Sequence, residues 1–90
     1  MKFTVKYEVH IDEYVLTNAI ASIIVYNRIC TMLGKPFKKI NRTNIMAEIK
    51  TRLDVYGRAG LQDGWSTTNG IDATYDADEY LEQFRHLIEE

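Results

Sequence analysis

The longest apolar pattern in the chain lies in residues 12–33 and repeats with the period of a helix. Asp12 precedes this run at the position of an N-cap residue, and Gly34 follows it where a left-handed C-cap residue is favoured. The sequence therefore predicts a helix of about six turns from Asp12 to Leu33. One broad face of it carries Val15, Leu16, Ala19, Ile20, Ile23, Tyr26, Ile29, Cys30 and Leu33.

A second and narrower apolar stripe follows another face of the same helix. It consists of Tyr14, Ala21, Val25 and Met32, spaced by seven, four and seven residues. A chain of 90 residues has little material with which to cover both sides of one helix. We therefore expect this stripe to form the interface of a homodimer or a higher homo-oligomer. The alternative is that a loop or the last helix of the same chain covers it.

Residues 2–9 alternate between apolar and polar side chains, which predicts a strand with one buried face. The apolar positions are Phe3, Val5, Tyr7 and Val9. A second helix is expected over Asn44–Tyr56, with Ile45, Ile49, Leu53 and Tyr56 on its inner face. Gly57 is positioned to end it.

The turn dipeptide Asn69-Gly70 predicts a β-hairpin with arms at 65–68 and 71–75. A last helix is expected to open at Asp76, where Asp76 and Glu79 have the spacing of a capping box. Its apolar stripe is Ala77, Tyr80, Leu81, Phe84, Leu87 and Ile88. The predicted architecture is a single α+β domain spanning residues 1–90, of order β-α-α-β-β-α, with three helices packed on a small antiparallel sheet.

Composition places the chain among small intracellular proteins. Its single cysteine, Cys30, forbids an internal disulfide and is expected to be a core residue. No signal peptide is visible, and the uninterrupted apolar runs fall short of the ~20 residues of a membrane span. The expected location is the cytoplasm, with no membrane and no disulfide partner.

Charge is distributed unevenly, although the net charge is only −2. Residues 35–60 carry a net charge of +5, and residues 61–90 carry −7. The basic side chains Lys38, Lys39, Arg42, Lys50, Arg52 and Arg58 are candidates for contact with a partner, and such residues can neutralise nucleic-acid phosphates. The alternatives are that they pair with the acidic third of the chain, or that the acidic third imitates a phosphate backbone.

Trp65 is the one tryptophan and lies in a glycine-rich segment. An exposed tryptophan on a loop is typical of an interaction hot spot, so Trp65 is a candidate partner-binding residue. The alternative is that Trp65 folds back as a lid on the core.

Catalytic and cofactor patterns are not found in the sequence. His10, Asp12 and Glu13 lack the paired His or Cys spacing of known metal sites, and the glycines fit neither a Walker A loop nor a Rossmann loop. No catalytic residue, cofactor or metal is therefore predicted.

We expect a non-enzymatic, homo-oligomeric interaction module that binds a macromolecule, most simply a protein. Small accessory inhibitors and regulators of phages and plasmids have this size and composition, but no residue specifies such a role. A nucleic-acid-binding regulator using the basic segment 35–58 is the alternative.

Overall fold

The structure is a computed structural model that describes residues 2–4, 8–62, 65 and 73–88. Two short strands come first, β1 (Lys2–Thr4) and β2 (Glu8–His10). Four helices follow: α1 (Glu13–Leu33), α2 (Arg42–Tyr56), α3 (Ala59–Gln62) and α4 (Thr74–Phe84). A 3₁₀ turn, Arg85–Leu87, continues directly from α4.

The body of the molecule is helical, and the predicted α+β architecture is wrong. The buried core is built by α1, α2, α3 and α4 with Ile11 and Trp65. Within the described ranges, the one sheet is formed by β1 and β2, which pair antiparallel with Phe3 opposite Val9. One continuous strand over 2–9 is therefore also wrong, because alternation of side chains does not reveal whether two short strands or one long strand carries it.

The predicted hairpin is not observed where it can be checked. Its turn dipeptide and most of its arms fall in 66–72, outside the described residues. Thr74 and Tyr75, assigned by the sequence to its second strand, form the first turn of α4. Ala73 and Ala77 are both buried, so the helical spacing of four residues, and not strand alternation, sets the pattern here.

The structure confirms the predicted bounds of α1, with Asp12 as its N-cap and Gly34 as its C-cap. The Asp12 carboxylate accepts a hydrogen bond from the Val15 N–H at 2.8 Å, which satisfies one of the free donors of the first turn. Gly34 adopts a left-handed conformation with φ 69°, and the Gly34 and Lys35 N–H groups both donate to the Cys30 carbonyl. Local capping chemistry therefore fixes both ends of the longest helix.

α1 is the central helix because α2 and α4 both pack against it. This arrangement buries residues on two sides of α1, including Ala21 and Val25 of the predicted oligomer stripe. The chain does therefore contain enough material to cover both sides of the middle of this helix.

α2 begins two residues before its predicted start, with Asn41 as its N-cap. The Asn41 side chain accepts a hydrogen bond from the Asn44 N–H at 2.9 Å. Gly57 ends the helix as predicted, with φ 71°. The short helix α3, which the sequence did not predict, then turns back so closely that a Cβ atom on Gly60 would lie 2.4 Å from the Tyr56 Cβ.

α4 also begins two residues before its predicted start, so the predicted capping box is wrong. Asp76 lies inside the first turn, where its carboxylate pairs with Arg28 of α1. Arg85, just beyond α4, pairs with Glu13 at the other end of α1. Ion pairs thus connect both ends of α4 to α1. The predicted apolar stripe of α4 is confirmed, since Ala77, Leu81, Phe84 and Leu87 are buried.

Among the described residues, α1 is the one helix whose length and composition would let it cross a membrane. Judged by its uninterrupted apolar runs alone, the sequence predicts no membrane-spanning segment. The core helix of a soluble protein meets the same two criteria, and much of α1 is buried by the chain itself.

Candidate functional site

A cleft of about 410 Å³ opens between α1 and α2. We call it the α1–α2 cleft and define it by its lining: Ser22, Val25, Tyr26, Ile29, Glu48, Thr51, Arg52, Val55, Tyr56 and Trp65. Val25 and Trp65 are buried side chains of its lining. Val55 and Tyr56 are 64% and 62% exposed, and Tyr26 is also exposed. The cleft therefore combines buried apolar walls with aromatic and aliphatic groups that water still reaches.

Arg52 organises the side of the cleft formed by α2. Its guanidinium carbon lies 4.7 Å from the centre of the Tyr56 ring and 4.9 Å from the centre of the Trp65 ring. The Arg52 Nε donates a hydrogen bond of 2.9 Å to the Gly60 carbonyl. Since one planar cation contacts two rings and the backbone of α3, Arg52 joins α2, α3 and Trp65.

Trp65 is buried, so the exposure that a hot-spot role requires is not observed. Its indole Nε1 donates a hydrogen bond of 3.0 Å to the Leu61 carbonyl of α3. This placement corresponds to the alternative in which Trp65 folds back on the core. Its aromatic character still contributes to the cleft, but as part of the wall and not as a projecting anchor.

Tyr26 carries the one notable electrostatic shift in the described part of the cleft. Polar interaction with the Cys30 side chain, one helical turn away, raises the Tyr26 pKa above its ordinary value. The negative charge of a Cys30 thiolate and partial burial act in the same direction, and the nearby Lys38 opposes them. The Lys38 Nζ lies 4.5 Å from the centre of the Tyr26 ring. Tyr26 is therefore a neutral aromatic group at pH 7.

The basic residues predicted to contact a partner have different surroundings in the structure. Lys38 pairs with Glu48 at 3.4 Å, and Lys50 pairs with Asp54 at 3.1 Å. Both pairs lie within the basic segment and do not use the acidic C-terminal third. Arg52 is held in the cleft, while Lys39, Arg42 and Arg58 are exposed.

The predicted oligomer stripe is not one continuous surface. Tyr14 and Met32 are exposed, but Ala21 and Val25 between them are buried in the core. Tyr14 and Met32 stand 18 residues apart on α1, roughly 27 Å at 1.5 Å per residue. An interface that uses all four residues is therefore incompatible with the folded chain.

Sequence reasoning missed the exposed side of the cleft. It placed Tyr26 and Tyr56 on inner helix faces and assigned no role to Val55. A signal was present for Val55, which lies about 200° around α2 from Leu53, but not for Tyr56, which lies only about 60° from Leu53 as residues i and i+3 do. Leu53 is buried, and the other two project outward.

Within the described ranges, no three His, Cys, Asp or Glu side chains come close enough to hold a metal ion. Comparisons with protein families, curated proteins and solved structures found no match to this chain.

Proposed function

We propose that this protein is a non-enzymatic interaction module of the cytoplasm that forms homo-oligomers through the α1–α2 cleft. The observation that carries the proposal is the exposure of Val55 and Tyr56 beside the buried apolar side chains of Val25 and Trp65. Exposed apolar groups grouped around a concavity are typical of protein contact sites. The proposed contact surface is therefore the α1–α2 cleft and not the stripe on α1 that the sequence predicted.

A second copy of the chain fits the charges of this cleft. Glu48 pairs with Lys38, and Arg52 is stacked on two rings, so the lining of the cleft has one charge of each sign and no excess of either. A two-fold interface brings the same patch of each subunit together and must therefore be self-complementary. Tyrosine, tryptophan and arginine are also enriched at the centres of protein interfaces.

Light scattering over a range of concentrations tests this proposal. The wild-type chain should approach twice its mass of 10.5 kDa as concentration rises. Val55→Glu places a charge at an exposed position of the cleft and should leave a folded monomer. Ala47→Glu is the matched control, because Ala47 is exposed on α2 but does not line the cleft. A wild-type monomer at high concentration, or equal effects of the two variants, would contradict the proposal.

A nucleic-acid-binding regulator is the second candidate, favoured by the exposure of Lys39, Arg42 and Arg58. Duplex DNA retained at ~50 mM salt and released as salt rises would support it. The internal pairing of Lys38 and Lys50 favours the protein-binding role, because those charges already have carboxylate partners.

A further inference from the structure

Three large apolar side chains are exposed where α1 turns into α2. Met32 is 82% exposed, Leu33 62% and Phe37 65%. They fall within six residues, which also include Pro36 and Gly34 with its left-handed backbone conformation. We call residues 32–42 the α1–α2 corner. The α1–α2 cleft is a separate surface, since no residue of the corner lines it.

Basic side chains share this corner with the apolar ones. Residues 32–42 contain Lys35, Lys38, Lys39 and Arg42 and no acidic residue. Lys35, Lys39 and Arg42 are exposed. Lys38 is half-buried and pairs with Glu48. The corner therefore carries exposed apolar groups and positive charges within eleven consecutive residues.

Hydrogen bonds hold the backbone of the corner against both helices. The Asn27 side chain accepts from the Lys38 N–H at 2.7 Å and donates to the Lys38 carbonyl at 2.8 Å. The Asn44 Nδ2 donates to the Lys39 carbonyl at 2.7 Å. Because the linker is held at these points, the exposure of Phe37 is a property of a fixed turn.

We propose that the α1–α2 corner docks on an anionic membrane surface. Met32, Leu33 and Phe37 enter the boundary between headgroups and acyl chains, while Lys35 and Lys39 face the lipid phosphates. Apolar insertion combined with several basic residues is the combination that a stable peripheral attachment requires. This proposal departs from the sequence-based expectation of no membrane partner.

The combination of groups favours lipid over the other candidates for this surface. Phosphate contacts of a nucleic acid need the cations but would leave three apolar side chains in water. A two-fold contact with a second copy would bring two positively charged corners face to face. An anionic membrane surface with an apolar interior satisfies both kinds of side chain.

Vesicle flotation with the full chain tests this inference. Vesicles of phosphatidylcholine with about one-third phosphatidylglycerol should carry the protein at low salt, and phosphatidylcholine alone should carry little. Raising the salt to about 0.5 M should weaken the binding, because the surface charges are then screened. Failure to float with the anionic vesicles at low salt would overturn the inference.

Two kinds of variant separate the apolar from the basic contribution. Phe37→Gln should weaken vesicle binding by about tenfold or more. Lys35→Gln and Lys39→Gln should each weaken it by about fivefold. Tyr14→Gln is the matched control: it removes an exposed aromatic side chain near the opposite end of α1 and should not change binding.

A parallel titration with duplex DNA identifies the nucleic-acid outcome. DNA binding that is lost in Lys39→Gln but kept in Phe37→Gln, without flotation of the wild type, would overturn the membrane assignment. Circular dichroism confirms that each variant is folded. All four substituted side chains are exposed, so their replacement is not expected to unfold the chain.

Discussion

The guanidinium of Arg52 lies 4.9 Å from the centre of the Trp65 indole, stacked against the only tryptophan of the chain. The same guanidinium contacts the Tyr56 ring, and its Nε donates to the Gly60 carbonyl. One α2 side chain thus holds both α3 and Trp65. The shape of the α1–α2 cleft depends on this contact, because Trp65 forms part of its wall.

Arg52→Lys is expected to lower the free energy of unfolding by about 1–2 kcal/mol. Lysine keeps the charge but lacks the planar group that stacks on the rings and donates to Gly60. Chemical denaturation followed by Trp65 fluorescence measures both stability and the indole environment. Lys50→Met is the control: it removes an exposed i,i+4 pair with Asp54, worth about 0.3–0.5 kcal/mol. Equal losses in the two variants would show that the stacking contributes nothing.

Val25→Glu is expected to unfold the chain at every concentration. Val25 is buried, and a carboxylate there would have to lose its water or be protonated. Val25→Ala should cost only about 1–3 kcal/mol and leave a folded protein. Circular dichroism distinguishes these results. A well-folded Val25→Glu monomer would instead show that Val25 is a surface residue of the stripe that the sequence predicted.

Gly60→Ala is expected to destabilise the protein by about 1–3 kcal/mol, because the new methyl group would overlap the Tyr56 Cβ at 2.4 Å. Truncation of Tyr56 to alanine should not relieve this cost, since the Cβ atom remains. Gly34→Ala is a matched comparison with a different cause: nothing lies within 4 Å of its Cβ position, but φ is +69°. Gly34→Ala should lower the free energy of unfolding by about 1 kcal/mol, because of the left-handed conformation alone. Thermal unfolding of the single and double variants checks both values.

Tyr26 is expected to ionise at higher pH than an ordinary tyrosine, because interaction with the Cys30 side chain raises its pKa. Since the pKa is raised in the folded state, the contact stabilises the fold fully below the unfolded pKa of about 10. That stabilisation is lost as the pH rises through the folded pKa. Cys30→Ala should lower the Tyr26 pKa toward its ordinary value. NMR titration of the Tyr26 ring in the wild type and in the variant measures the change.

Local chemistry allowed the sequence to predict α1 almost completely. Asp12 and Gly34 act on neighbouring backbone groups, so the ends of this helix do not depend on the rest of the fold. The same reasoning located the end of α2 at Gly57. It failed at the start of α4, where Asp76 has capping chemistry but forms an ion pair with Arg28, 48 residues away.

The sequence by itself therefore determined the principal helices, the apolar stripe of α4 and the division into basic and acidic segments. Tertiary structure alone decided which apolar side chains remain exposed. Ala21 and Val25 are buried because α2 and α4 pack on both sides of α1, and Trp65 is buried against α3. Val55, Tyr56 and Phe37 are exposed because no described element covers them. Periodicity predicts the direction in which a side chain projects from its own helix. Whether that side chain is buried depends on whether a segment distant in sequence packs against it.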